Sequence, residues 1–309
     1  MTEVFKRKIN RVLDNPAYLF WLFAKKGFFN WMDDETYIKM LYKALLGDNL
    51  NLNNPITFNE KLQWLKLYNR NSTYTKMVDK YLAKDFIKNV VGEKYVVPTY
   101  AVWNNAEDID VANLPDQFVI KCNHDSKGLV ICTDKKHFDV KHAKKKLQKC
   151  LNRNFYYLAR EWPYKDVKPV ILAEQYLSDG TDCLTDYKFF CFNGEPKIMY
   201  ISQDYGDNPH TDFFDMDFNH LDLHMADPNS KEPINKPNCF DEMRELAKKL
   251  SSGTPHLRVD FYYVNGQVYV GELTFFHNAG FQKIYPKEWA KKMGQWIELP
   301  PQNKANKMN

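Results

Sequence analysis

The sequence predicts an α+β fold, with a helical N-terminal region ahead of a β-rich body. Three observations carry this. Residues 1 to about 90 follow helical periodicity. Around Pro98 the texture changes to short β-rich runs. Two later segments, "DYKFFCFNGEPKIMYIS" and "RVDFYYVNGQVYVGEL", each place Asn-Gly between β-rich runs, a strong hairpin signal.

The elements follow in order. Ile9, Val12 and Leu13 recur at helical spacing, with Lys6, Arg7, Lys8 and Arg11 mostly elsewhere around the helix. "AYLFWLFAKKGFFNWM" is very apolar, but Lys25 and Lys26 interrupt it and it is too short to span a bilayer. "TFNEKLQWLKLYNR" opens with Thr57 and carries Glu60 three residues on, a capping-box signature. "TYTKMVDKYLAKDFIKNVVG" reads as one further helix closing near Gly92. "KYVVPTYAVW" and "QFVIKCNH" read as strands, and residues 135 to 159 as a basic helix. "PVILAEQYL" is a buried strand leaving through the polar loop "SDGTD". A helix over 239 to 252 separates the two hairpins, which are candidates for one antiparallel sheet.

Composition narrows the class. The chain has 309 residues, 44% hydrophobic and 27% charged, enough for a sizeable core and unlike a disordered chain. A net charge of +4 is too weak to argue for nucleic acid, and none is expected as a partner, but it suits an anionic ligand. Six cysteines without CxxC spacing point to neither a zinc site nor a disulfide framework. With no export signal read at the start, a cytoplasmic location is the expectation.

The second hairpin retains one Arg, one Asp and one Glu. Alternation puts Arg258 and Asp260 on one face. A two-residue turn at Asn265-Gly266 would oppose Val259 to Glu272 and send the two acids to opposite faces. A three-residue loop, or one bulge, would bring Arg258, Asp260 and Glu272 together. Converging carboxylates need a cation between them, and Mg²⁺ prefers a few carboxylates plus phosphate oxygens and water. Solvated strand charges are the plain alternative.

Other residues add weight in combination. Lys121 leaves a strand ahead of the polar loop "NHDSKG"; Glu174 ends a strand; Lys188 lies on a hairpin strand. With "TFNEKLQWLKLYNR", "DKYLAKDFI", "DYKFFCFNGEP" and "ELTFFHNAG", this order resembles the TupA-like ATP-grasp family of bacterial surface-polysaccharide and teichuronopeptide biosynthesis, over roughly residues 35 to 297. The resemblance implies an ATP-grasp fold, two α/β subdomains with antiparallel sheets clasping ATP. Together with the helical periodicity and the polar tail, it divides the chain into a helical region (1–75), an ATP-grasp domain (76–298, with a lid-like subdomain at about 116–178) and a disordered tail (299–309). It implies ATP and Mg²⁺ as cofactors. Lys121 and Lys188 would hold phosphates, under a loop containing Ser126, Lys127 and Gly128. Glu174 would sit at the adenine hinge with the backbone of Gln175, Tyr176 and Leu177, and Asp182 or Asp179 would contact the ribose. Asp260 and Glu272 would bind Mg²⁺, and Arg258 would stabilise the transferred group. Lys188 follows the hinge rather than preceding it, and Thr274 stands where many members carry Asn; His277 to Gly280 is an alternative source of that polar group.

The chemistry so implied joins a carboxylate to an amine through an acyl phosphate. The expected substrates are a uronic-acid-containing glycan or its precursor and an amino acid or amine. Three other readings compete. Asp215 and Asp217 form a DxD spacing that some nucleotide-sugar glycosyltransferases, here of capsule biosynthesis, use for a metal, and the basic helix could serve a non-catalytic glycan-binding module. A glycan kinase would use the same nucleotide site. The aromatic and basic mixture in residues 1 to 32 allows at most peripheral membrane contact at the inner face, against the plainer expectation that the rings pack inward.

Overall fold

A computed structural model describes residues 10, 12–180, 184–203, 209–225 and 227–302, organised around two antiparallel sheets. The N-terminal helices are α1 (Tyr18–Ala24), α2 (Asp34–Leu46) and α3 (Phe58–Tyr68). Asp33 caps α2 by accepting from the Thr36 N–H at 2.9 Å. Thr57 and Glu60 form the capping box at the start of α3, each satisfying a backbone donor that the first turn leaves open.

The single helix expected over "TYTKMVDKYLAKDFIKNVVG" is two: α4 (Thr73–Val78) and α5 (Ala83–Val91). Asp79 causes the break. Its buried carboxylate accepts from the N–H groups of Tyr81 and Leu82, at 2.8 and 3.2 Å, and starts a new turn.

The smaller sheet has the order β1-β4-β2-β3, from β1 (Thr99–Trp103), β2 (Phe118–Cys122), β3 (Leu129–Cys132) and β4 (Ile171–Gln175). It therefore takes in a strand that precedes residue 116. The basic helix is α6 (Val140–Leu151), shorter than the 135–159 expected. Asp139 caps its start, and the Asn152 to Asn154 stretch separates it from the short α7 (Tyr156–Ala159), where the Asn154 side chain accepts from the Tyr156 N–H. Phe118, Ile120, Leu147 and Ile171 form the core between α6 and this sheet.

The larger sheet has the order β10-β9-β5-β6-β7-β8. Both Asn-Gly hairpins lie in it: β5 (Asp186–Phe192) with β6 (Glu195–Gln203), and β9 (His256–Val264) with β10 (Gln267–Thr274), joined by pairing of β5 with β9. β7 (His210–Asp215) and β8 (His220–Leu221) extend one edge. One face packs on α8 (Phe240–Ser251), with Phe189 against Phe240 and Phe261. Towards the other, Phe58 of α3 meets Phe190 and Phe192, and α9 (Lys287–Trp296) closes the structure against α3.

In α1 and the turns that follow it the apolar residues divide. Tyr18, Phe20 and Ala24 are buried with Tyr37 and Leu41 of α2, while Leu19, Phe23, Phe28 and Trp31 stay exposed. Among the described residues no helix is long and apolar enough to cross a membrane.

Candidate active site

The register of β9 and β10 determines which face carries each charge. The turn has two residues, Asn265 (φ 50°) and Gly266 (φ 80°), and pairs Val264 with Gln267. That register holds as far as Phe261 opposite Val270. It then slips by one at Gly271, so that Glu272 opposes Asp260 and Thr274 opposes Arg258. A bulge beyond the turn, rather than a longer loop, thus unites the two acids. Gly271 permits it: a Cβ there would lie 2.7 Å from the Tyr262 ring. Across the sheet, Glu272, Asp260, Lys188 and Tyr200 fall in one row on four strands.

Arg258 grips Asp260 bidentately, with Nε and Nη2 each 2.7 Å from a carboxylate oxygen. Its Nη1 donates to Nδ1 of His277 at 2.7 Å, and its Nη2 also donates to Thr274 Oγ1 at 3.1 Å. Lys188 bridges Asp260 and Asp186, at 2.9 Å to each. Glu272 pairs with Lys80 at 3.0 Å and lies 3.9 Å from Arg258.

These contacts set the charge states. Burial pushes the Asp260 carboxyl upward, but Arg258 and Lys188 outweigh it and hold it below the usual carboxylate range. Glu272 is likewise held low: burial and Asp260 push it up, and Lys80 with Arg258 prevail. Burial opposes the charge on Lys188, yet Asp260 and Asp186 keep its ammonium protonated. Burial, then Arg258, drives His277 well below its ordinary value, so its neutral ring can accept from the guanidinium.

A second cluster faces this one. Glu174, buried at the end of β4, pairs with Lys84 at 2.7 Å and Lys121 at 2.5 Å. Burial raises this carboxyl, and the two lysines bring it below normal. Lys80, Lys84, Lys121, Glu174 and Glu272 line one cleft between the sheets, where cations and carboxylates alternate.

The loop after β2 is anchored at its base. Asn123 donates to the Lys168 carbonyl and accepts from the Val170 N–H; His124 lies 3.0 Å from the Arg153 carbonyl oxygen. Gly128 is required by packing, since a Cβ would meet Cys122 and Cys150 at about 3 Å. Ser126 and Lys127 form an exposed tip. Gln175, Tyr176 and Leu177 lead out of the smaller sheet, and Leu177 packs with Val97 and Val264 where the two sheets approach. Asp179 is exposed on the loop beyond, and Asp182 lies outside the described residues.

Lys80, Lys84 and Asp186 join the site without a motif that assigns them a role. Lys80 and Lys84 sit four apart in "DKYLAKDFI", and that spacing is the one local signal for them. Their partners Glu272 and Glu174 are remote in the chain. Asp215 is not poised for a metal: its carboxylate accepts from the N–H groups of Asp217 and Asn219 and closes its own turn.

Among the described residues no group of three or more His, Cys, Asp or Glu could cage a metal. Asp260 and Glu272 are two ionised carboxylates on adjacent strands; Glu272 lines the cleft, while both Asp260 oxygens are held by Arg258 and Lys188 and would be shared with any metal. Two such donors suit Mg²⁺ completed by phosphate oxygens and water rather than a metal held by protein alone. Carboxylates of this kind fit a magnesium nucleotide by their chemistry. A second cavity, about 1010 Å³ with its open mouth, adjoins the cluster and is lined by Arg258, Glu272, Thr274, Ser126 and Glu161, with apolar walls from the N-terminal helices.

No relative was found among proteins of curated function. Among solved structures the chain is similar to D-alanine-D-alanine ligase from Helicobacter pylori (15% identity, 78% of this chain and 69% of that one, TM-score 0.43). It is also similar to the Bacillus anthracis D-alanine-D-alanine ligase complexed with ATP (15%, 79% and 63%, TM-score 0.39) and to the ATP-grasp ligase PsnB (11%, 70% and 59%, TM-score 0.39). The family described as TupA-like ATPgrasp matches residues 60–298, most of the chain, and the protein belongs to that family and has its ATP-grasp fold.

Proposed function

We propose that the protein is an ATP- and Mg²⁺-dependent carboxylate–amine ligase that works through an acyl phosphate. It joins an amino acid or amine to a uronic acid of a bacterial surface polysaccharide. The observation that carries the ATP-dependent step is the pairing of Asp260 with Glu272 beside Arg258, next to a cleft with three lysines.

In this reading Lys121, joined by Lys84, receives phosphate oxygens at the cleft, whereas Lys188, expected from sequence to do so as well, is buried between Asp186 and Asp260 and orients Asp260 instead. Mg²⁺, when bound, neutralises charge on the phosphates, with Asp260 and Glu272 as its protein donors. Arg258 stabilises charge on the group in transfer, because its guanidinium suits a carboxylate or phosphate. His277 and Thr274 fix that guanidinium. Ser126, at the loop tip, lines the cavity where the second substrate meets the activated one.

A screen of uronic acids and amino acids with MgATP, read by ADP release and mass spectrometry of the product, tests the proposal. A new amide is expected. A phosphorylated glycan without amide would instead establish a kinase. Transfer from a nucleotide sugar with no use of ATP would overturn the ligase, and the commitment of Asp215 to its own turn argues against that outcome.

The exposed Phe23, Phe28 and Trp31, beside Lys25 and Lys26, support working contact with an anionic membrane surface at the cytoplasmic face.

A further inference from the structure

The cavity beside the Arg258 cluster holds one group that the nucleotide reading does not use. Glu161 is buried, with 6% of its surface exposed, and lines the cavity. Among the described residues no cation lies within ion-pairing distance of its carboxylate. The nearby ammonium of Lys66 is occupied elsewhere: it donates to the carbonyls of Ala159 and Ala279, at 3.0 and 2.6 Å, and sits 4.4 Å from the Phe281 ring centroid.

The walls differ in chemistry. Arg258, Glu272 and Thr274 come from neighbouring positions on β9 and β10. Opposing elements contribute Trp21, Leu41 and Leu45 from the N-terminal region, with Leu158 from α7. The aliphatic part of this wall offers nothing to hydroxyl groups and suits an apolar ligand body, while Ser126, Tyr164, Asn278 and Gln282 line other parts of the cavity. A buried carboxylate without a cation gains most from a ligand that brings one.

We propose that this cavity binds the amine substrate, that its ammonium contacts Glu161, and that its apolar body lies against Trp21, Leu41 and Leu45. The proposal rests on the ligase reading for the word substrate, but the binding itself does not depend on it. The ligand class is a primary amine with an apolar body, such as an apolar amino acid. Arg258 and Glu272 line the same cavity, so the amine end has a direct path to the activated carboxylate. Burial lifts the Glu161 carboxyl to about 7, against the pull of Lys66, which agrees with a site built to be neutralised by a bound cation.

The test is calorimetric titration of the full chain with n-hexylamine, 1-hexanol and hexanoate at pH 7.5 without nucleotide. Hexylamine should bind about tenfold tighter than either analogue. Glu161→Gln should bring amine and alcohol to within about twofold of each other. Leu45→Trp, which fills the apolar wall and leaves Glu161 in place, should weaken hexylamine about tenfold and leave ethylamine unchanged. Equal or tighter binding of hexanoate or hexanol, no binding of any probe, or unaltered amine preference in Glu161→Gln would overturn the proposal. So would unaltered hexylamine affinity in Leu45→Trp, should the Gln variant fail to fold. Binding of ADP with Mg²⁺ is measured separately: its loss alone would count against the ligase and not against the amine site.

Discussion

Asp260 and Glu272 share one face but differ in what holds them, and their variants should differ accordingly. Asp260 is 2% exposed and gripped by Arg258 and Lys188. Asp260→Asn leaves two buried cations short of a counter-charge and should cost about 3–5 kcal/mol, visible in denaturant unfolding. Glu272 has a side chain 31% exposed and one close cation, Lys80. Glu272→Gln should cost about 1 kcal/mol or less, which makes it the cleaner probe of metal binding. A second residue-scale prediction concerns pH. Glu161 holds its proton up to about 7 when folded, against an ordinary value of 4.5. Its folded form therefore binds more protons than the unfolded chain between those values, and that contribution to stability declines as pH rises through the interval. Glu161→Gln removes the titrating group, so its stability relative to the parent should increase from pH 4.5 to 7 and then level off. Parallel stability curves for the two proteins across this range would contradict the burial argument.

At the scale of elements, the hairpins were legible because Asn-Gly is a local signal: both residues adopt positive φ, which that pair tolerates. The bulge was legible only as one of several possibilities. Its position depends on Gly271 lying against Tyr262, a contact across the strand pair that no turn motif announces. The break at Asp79 was missed because an acid within an apolar periodicity resembles a helix-surface charge until its side chain is seen to cap the next turn. Lys80 and Lys84 had no evident partners because Glu272 and Glu174 reach them only through tertiary structure. Gly271→Ala should crowd the Tyr262 ring, cost about 1–3 kcal/mol, and impair Mg²⁺-dependent turnover if the bulge straightens. Wild-type stability and turnover together would show that the bulge tolerates a side chain. In α1, deletion would strip Phe20 and Ala24 from the core, so outward residues are the better probe of membrane contact. Phe28→Ser with Trp31→Ser should abolish co-sedimentation with phosphatidylserine vesicles at low salt while leaving the melting temperature in place. Unchanged sedimentation would remove this patch as the contact.

For the whole molecule, the two sheets present opposite walls of one cleft. Each wall carries a carboxylate paired with lysine: buried Glu174 with Lys84 and Lys121 on one side, half-buried Glu272 with Lys80 on the other. These carboxylates and Asp260 are all held below their ordinary range. Their stabilising contribution is complete above the unfolded-chain values near 4 and is lost as pH falls through the depressed folded values. The smaller sheet, the larger sheet and the N-terminal helices all reach the two adjoining cavities, which is why residues remote in sequence must converge before the site exists. On the proposed reading this convergence binds a magnesium nucleotide through Asp260 and Glu272. Calorimetric titration with ATP, with and without Mg²⁺, in the parent protein and in Glu272→Gln, tests it most directly. ATP binding should be strengthened about tenfold or more by Mg²⁺ in the parent, and that Mg²⁺ dependence should be lost in the variant at unchanged melting temperature. ATP binding indifferent to Mg²⁺ in the parent, or equal Mg²⁺ dependence in the two proteins, would contradict it.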